Sequence, residues 1–436
     1  MAGFTSLGFR QYVSTVETFA VEVLSGNGGL APGSLNAPVL DGQAAAKLRQ
    51  TMPATVRRAH GAFFSDSRLR ATALAKWPPS DEIDGPILDP AMGGGDLLIE
   101  AAMRLPVKED VASTLLLWGE RLHGRDIDPQ FVRLAKARLV LLAAARCTSR
   151  TEAPDIHLED ILPGITVGDG LELLNRGWPA SQILMNPPFT LYNAERSTAW
   201  ANGRTNLAAA FLAAAVDKAE SGTLLAAILP DVIRTGTRYE KLRALVSERL
   251  TQADVAAYGQ FDRWTDIDVF VLRGSVSKDG NGSSEIEWWS SSEGETVADR
   301  FHVHVGPVVP HRDNESSVQR PYLHARETPT AGTFDSLKAP RRAFEKRLFS
   351  PPFVVVRRTS RPGERLRGSG TIILGSKGVL VENHLIVLQP KNSSLDACEE
   401  LVQMLKSKRA KQWLDGRIRC RHLTTRALSE MPWFEA

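Results

Sequence analysis

Residues 86–102 constrain the fold of this 436-residue chain more than any other stretch. Pro86-Ile87-Leu88 reads as a short buried strand. Asp89-Pro90-Ala91-Met92-Gly93-Gly94-Gly95-Asp96 then leads directly into the helical run Leu97-Leu98-Ile99-Glu100-Ala101-Ala102. Strand, glycine-rich turn and helix together form the opening unit of a nucleotide-binding α/β sheet. The glycines let the backbone pass close to a ligand, and the helix N-terminus offers unpaired N–H groups. The pattern is neither the GxGxxG of dinucleotide enzymes nor a phosphate loop, because no lysine stands ready for a triphosphate. Asp89 at the strand end would repel phosphates but can accept hydrogen bonds from a cationic or amino-bearing ligand. Taken alone, the stretch also fits a glycine turn of purely architectural use.

One βαβ unit later, His123-Gly124-Arg125-Asp126-Ile127-Asp128-Pro129 precedes a long helix over residues 130–145. An acidic residue ending the second strand is where such sheets hold ribose hydroxyls. Asp126 is the better candidate, because Asp128-Pro129 reads as an N-cap followed by proline in the first helical turn. Residues 156–165 predict a third strand. Beyond it, Asp169-Gly170 either accepts from an adenine amino group or simply turns the chain. The apolar run Ile183-Leu184-Met185 then ends abruptly in Asn186-Pro187-Pro188-Phe189. Two prolines make this loop stiff and extended. It presents an amide, free backbone carbonyls and a ring at a strand edge, parts that suit gripping a planar group with an amino function. A rigid turn with Phe189 covering core is an equal alternative for the tetrapeptide alone. Helices over 206–220 and 239–250, and strands over 224–229, 255–258 and 268–273, continue the alternation. Over residues 61–275 it predicts an α/β fold with a doubly wound, mostly parallel sheet.

Residues 1–60 read as a helical lead-in. Gly61-Ala62-Phe63-Phe64-Ser65-Asp66 precedes a helix that Ser65 or Asp66 can cap. Residues 277–284 have the composition of a flexible join. Short β-prone runs at 286–289, 301–305, 353–356, 371–374 and 385–388, with a helical part at 395–414, predict a mixed α+β domain over 276–436. Arg357, Arg358, Arg361, Arg365 and Arg367 cluster there between Gly and Ser residues. A charge run is usually a solvated face, but arginines dispersed on turns favour phosphate or base-edge contact. The net charge of +3 permits nucleic acid without arguing for it. Three widely spaced cysteines offer neither a zinc cluster nor a disulfide framework, so a reducing compartment and no metal are expected. No apolar run is long enough for a transmembrane helix, and the N-terminus lacks the pattern of a signal peptide. A cytoplasmic location and no membrane partner are expected.

With these residues laid out, the chain resembles an amino-methylating DNA methyltransferase of the adenine-N6 type. The subgroup is the one whose cofactor motifs precede an Asn-Pro-Pro-Phe motif and whose target-recognition domain follows at the C-terminus. The resemblance is specific over residues 61–273. It implies a Rossmann-like methyltransferase domain over 61–275, a DNA target-recognition domain over 276–436, and S-adenosyl-L-methionine as cofactor. Phe64 and Ser65 would close over the methionine part of the cofactor, with Asp89, Pro90, Ala91, Gly93 and Gly95 in the glycine motif around it. Asp126 and Ile127 would meet the ribose, and Asp169 and Gly170 the cofactor's adenine. Asn186, Pro187, Pro188 and Phe189 match the catalytic tetrapeptide, which would hold an adenine flipped out of the duplex. Phe261, with Trp264 competing, falls where an aromatic supports that base. The glycine motif reads Gly-Gly-Gly where Gly-Ser-Gly is more usual.

The implied partner is double-stranded DNA in a cell of bacterial or archaeal type. A separate cognate restriction endonuclease stays open, and no fused nuclease constellation is evident. The rival readings are methylation of cytosine N4, RNA or protein glutamine, and a catalytically idle DNA-binding subunit. Intact Asp89, Asp126, Asn186 and Phe189 count against the idle subunit.

Overall fold

Seven runs between Ile87 and Val276 pair into one sheet. They are β1 (Ile87–Asp89), β2 (Leu122–Asp126), β3 (Ile165–Val167), β4 (Gln182–Met185), β5 (Leu224–Pro230), β6 (Leu250–Asp262) and β7 (Thr265–Val276). This is a computed structural model, and it describes residues 4–26, 37–76, 78, 84–148, 158, 160–195, 198–201, 203–262, 264–278, 286–289 and 294–434. The chain divides into two units, Met1–Ile286 and Glu287–Ala436.

In the first unit the strands lie in the order β3-β2-β1-β4-β5-β7-β6. β1 pairs in parallel with β2 and β4, β2 with β3, and β4 with β5. β7 runs antiparallel to both β5 and β6. The result is the expected α/β architecture with a large, mostly parallel sheet. The inner strands read as unbroken apolar runs because helices cover both faces, and Gln182–Met185 is buried along its length. Strand order reverses between β1 and β4. Connections leave that point in opposite directions and open a crevice beyond the C-terminal strand ends.

Helix formation follows the local chemistry. The Asp128 carboxylate accepts from the Gln130 N–H and Pro129 fills the first turn, starting the helix Pro129–Arg146. Asp66 rather than Ser65 caps Ser67–Ala73, accepting from the Leu69 N–H at 2.8 Å. The lead-in helix Leu7–Leu24 buries Phe9, Val13 and Val16 in the same core as Phe131 and Leu134. Expected strand 255–258 is part of the longer β6. The third strand is Ile165–Val167, at the end of the run expected to supply it; residues 151–157 and 159 lie outside the described residues. Most of the expected join at 277–284 lies outside them as well.

In the second unit a five-stranded sheet runs in the order Phe301–Val305, Leu385–Pro390, Phe353–Arg357, Gly370–Leu374, Gly332–Asp335. Alternate residues feed two cores. Val354 and Val356 face Leu401, Val402 and Leu405, while Phe353 and Val355 join Leu323 and Phe349. The expected helical part at 395–414 is present, and one expected strand is corrected. Residues 395–414 form two helices, Leu395–Lys406 and Lys408–Arg417, because Ser407 is extended and its hydroxyl caps the second by accepting from the Ala410 N–H. Residues 286–289 form no strand despite their apolar character, having no ladder partner among the described residues.

Candidate active site

The C-terminal ends of β1, β2, β3 and β4 carry Asp89, Asp126, Asp169 and Asn186, each at the last residue of its strand or in the turn beyond. A cavity of about 330 Å³ opens there. Phe64, Pro90, Ala91, Gly93, Asp126, Ile127, Asp169, Gly170, Asn186 and Pro188 all line it. Sequence positions up to 124 residues apart therefore meet on one surface because the parallel sheet aligns its strand ends.

Asp126 is held by backbone. Its carboxylate accepts from the Gly93 N–H at 3.0 Å and from the Asp128 N–H at 2.9 Å. Burial pushes its pKa up to about 7, against the pull of those two donors. Asp89 lies beneath the floor and is 1% exposed. Burial raises its pKa well above the carboxylate range, although the Ala91 N–H donates to it at 3.1 Å. Asp89 thus shapes the turn Pro90–Gly93 and does not line the cavity. Asp169 caps the helix Gly170–Arg176, accepting from Leu171 N–H at 2.8 Å. Gly170 is demanded by a close approach, since a Cβ there would stand 1.6 Å from the Pro90 carbonyl oxygen. Gly95 caps the helix Asp96–Ala102 and packs on Ala135, outside the cavity.

Asn186 is half-buried, and its Nδ2 donates to the Ser65 hydroxyl at 2.9 Å. That leaves Oδ1 as the end available to the cavity. Pro187 is buried behind it. Phe189 is also outside the cavity lining. Its ring stands edge-on to Phe261 at 6.0 Å, and Phe63 meets Phe261 similarly at 6.2 Å. Phe261 is only 1% exposed. The inward alternation along β6 makes it a buttress for Phe189 and Phe63, a place from which it would support a base only through those rings. Trp264, in the turn after it, is 56% exposed and has the Arg49 guanidinium 6.0 Å from its ring. Ser65 is buried and does not line this cavity.

The segment before Ser65 lies across the tetrapeptide. Gly61 has φ +62°, and a Cβ there would come within 2.2 Å of Pro188 Cβ and 2.7 Å of its Cα. Gly61→Ala is therefore expected to shift the tetrapeptide and lower stability by about 1 kcal/mol or more, measured as a fall in denaturation midpoint.

Several lining residues were not anticipated. Phe4 and His60 stack at 4.1 Å with parallel rings, Phe4 meets Phe131 edge-on, and all three line the cavity with Tyr192. Asp128 pins this strap, accepting from the Thr5 N–H at 3.0 Å. No local pattern links residues 4, 60 and 131, so only the folded chain could reveal the wall.

In the second unit Arg361 and Arg365 are exposed, and Arg357 and Arg358 are half-buried. Arg357 donates to the Thr328 carbonyl at 3.1 Å. Arg367 does not face solvent, contrary to expectation. Its guanidinium is buried and donates to the carbonyls of Ser360 at 2.7 Å and Ile418 at 2.6 Å, with Asp415 3.1 Å away. It ties two loops together. Among the described residues no group of His, Cys, Asp and Glu is placed to hold a metal ion, and no helix is long and apolar enough to cross a membrane.

No family model matches this chain, and no curated protein matches it. Solved structures do. The Type IIL restriction–modification enzyme MmeI, solved in complex with DNA, superposes with a TM-score of 0.51 at 12% identity, over 88% of this chain and 70% of that one. The fold is shared with MmeI. The type IIG restriction endonuclease BpuSI aligns at a TM-score of 0.42 and 13% identity, over 85% of this chain. The M protein of the type I restriction enzyme EcoKI aligns at 0.38 and 14% identity, over 64% of this chain. The chain spans 58% of BpuSI and 65% of the EcoKI protein, less than two thirds of either.

Proposed function

We propose that this protein is a DNA adenine-N6 methyltransferase of a restriction–modification system that uses S-adenosyl-L-methionine. One observation carries the reading. An amide whose nitrogen is already engaged (Asn186) and a backbone-held carboxylate (Asp126) line a single cavity at the switch point of a methyltransferase-like sheet. The likeness to MmeI, a restriction–modification enzyme seen with DNA, supports it.

The cavity fits the cofactor. Its volume lies at the small end of ligand sites, and its turns approach so closely that a Cβ at Gly93 would meet the Phe64 ring at 3.2 Å. Asp126 would accept from the ribose hydroxyls, with Ile127 beside them. Asp169 and Gly170 would meet the adenine, while Phe64, Pro90, Ala91 and Gly93 would enclose the amino-acid end. When bound, S-adenosylmethionine supplies an electrophilic methyl group.

The chain's own residues would present the nucleophile. Adenine N6 is weakly nucleophilic because its lone pair is delocalised into the ring. Asn186 Oδ1 and the Pro187 carbonyl would accept its two hydrogens and favour a pyramidal nitrogen. Phe189, backed by Phe261, would stack on the extruded base. The rate gain comes from positioning and from acceptors set in advance. The exposed Arg361 and Arg365, with Arg357 and Arg358, are the second unit's candidates for phosphate or base-edge contact.

The test is release of S-adenosylhomocysteine. It is expected with unmethylated duplex DNA and not with RNA or protein alone; release that needs no DNA would overturn the reading.

The pKa of Asp126 gives a second expectation. Burial holds it near 7, above its unfolded value, so ionising this group opposes folding as pH rises through about 7. Ribose hydroxyls and a cationic ligand favour the ionised form. Cofactor affinity should therefore fall below pH 7, by roughly tenfold between pH 8 and pH 6. Calorimetric titration across that range checks it, and Asp126→Asn should flatten the profile.

A further inference from the structure

We infer that Phe4 belongs to the cofactor site, and that the strap Phe4-Thr5-Ser6 is a clamp on the cofactor, latched through Asp128 to the turn that holds Asp126. The inference rests on the proposed S-adenosylmethionine reading. It extends the site to residues outside the stretch 61–273, over which the resemblance is specific.

Polar groups on the strand ends can orient a cofactor, but most of the contact in such a cavity comes from apolar and aromatic walls. Phe4 stands in one. It is half-buried, and its ring lies parallel to His60 at 4.1 Å and edge-on to Phe131 at 5.6 Å. Phe131 also meets Phe64 edge-on at 5.5 Å, so the strap and the 61–66 segment pack on one shared ring. Phe4, Phe64 and Phe131 all line the cavity. Backed in this way, the Phe4 ring offers a rigid apolar surface to a ligand.

Three residues ahead of a helix need anchors to stay on a cavity rim. The Thr5 N–H donates to Asp128 Oδ2 at 3.0 Å, and the Thr5 carbonyl accepts from Arg10 Nε at 3.1 Å. Ser6 caps the helix Leu7–Leu24, its hydroxyl accepting from the Phe9 N–H at 3.3 Å. Asp128 is fully buried and joins strap, helix and strand end. Its Oδ1 accepts from the Gln130 N–H at 2.9 Å and starts the helix Pro129–Arg146, while Oδ2 holds the strap. Its own N–H donates to Asp126 Oδ1 at 2.9 Å. The donors from Thr5, Gln130 and Asp128 are backbone N–H groups, which cannot accept, so the direction of this relay is fixed. Lifting the strap would leave a buried carboxylate oxygen without its N–H partner, which favours the closed position. The residue that holds the strap down is thus the one that also holds the carboxylate proposed for the ribose.

The experiment is calorimetric titration of the full chain with S-adenosylmethionine, alongside single-turnover methyl transfer to unmethylated duplex DNA at saturating cofactor. Phe4→Ala should weaken cofactor binding about tenfold, with the transfer rate of the saturated complex changed by less than about threefold. Phe4→Tyr, which keeps the ring, should stay within about threefold of the parent in Kd. Thr5→Pro removes the latch N–H and leaves the Phe4 side chain in place; it should weaken binding by a similar factor. Because ring and latch act as one unit, the double variant should bind about as weakly as either single one.

An unchanged Kd in Phe4→Ala overturns the inference, whether or not transfer slows. A double variant that loses the product of the two single effects overturns the latch. If the unaltered protein binds no S-adenosylmethionine, the cofactor reading itself fails; if it binds and Phe4→Ala binds equally well, the strap assignment fails alone.

Discussion

Asn186→Ala is expected to slow methyl transfer to DNA by about 10²–10³-fold, the scale seen when one preset polar group is removed from the reacting centre. Cofactor affinity should change little. The side chain is half-buried, and its truncation leaves a single hydroxyl, that of Ser65, without its donor. The cofactor's expected contacts lie at Phe64 and at or just beyond the ends of β1, β2 and β3, whereas Asn186 lies just beyond the end of β4. Single-turnover rates and calorimetric binding on the same preparation separate the two effects. A rate loss accompanied by lost cofactor binding would mean that Asn186 serves the cofactor and not the amino group. An unaltered rate would remove the tetrapeptide from the chemistry.

The second large effect is on stability. Arg138→Met should destabilise the first unit by about 3–5 kcal/mol, the range for breaking a buried ion pair from one side. Arg138 is fully buried. It donates to the carbonyls of Val39 at 2.9 Å, Gly94 at 2.5 Å and Leu40 at 3.0 Å, and to Asp96 Oδ1 at 2.9 Å. Methionine fills much of the volume and satisfies none of those acceptors. Arg70, 3.8 Å from Asp96, leaves the carboxylate partly compensated and favours the lower end of the range. The midpoint of thermal unfolding should fall by on the order of 10 °C. Because Arg138 ties the Val39–Leu40 segment to the glycine turn, cofactor affinity should fall with it. A variant as stable as the parent would show that these contacts contribute nothing net.

Several features of the site were legible in the sequence because they are local. The strand, glycine turn and helix at 86–102 form one continuous unit. Asp128-Pro129 announces a helix start, which singles out Asp126 as the free carboxylate two residues before it. The prolines at 187 and 188 mark where β4 must stop. Ser65 is different: its type and position were visible, but its contact with Asn186 spans 121 residues and arises only when β4 ends beside the 61–66 segment. The wall formed by Phe4, His60 and Phe131 is tertiary in the same way. Arg367 misled for a physical reason. An arginine between glycines reads as solvated, yet loop carbonyls left unpaired by secondary structure need donors, and its guanidinium supplies them. Phe261 and Trp264 competed on composition; strand alternation, which turns Phe261 inward, separates them.

The central claim is that the site methylates the amino group of adenine in DNA. Its most direct measurement is incubation with tritiated S-adenosylmethionine and unmethylated duplex, followed by digestion and nucleoside analysis. The account predicts label in N6-methyladenine, absent when Asn186 is replaced by alanine. Label in N4-methylcytosine, or only in RNA or protein, would contradict it.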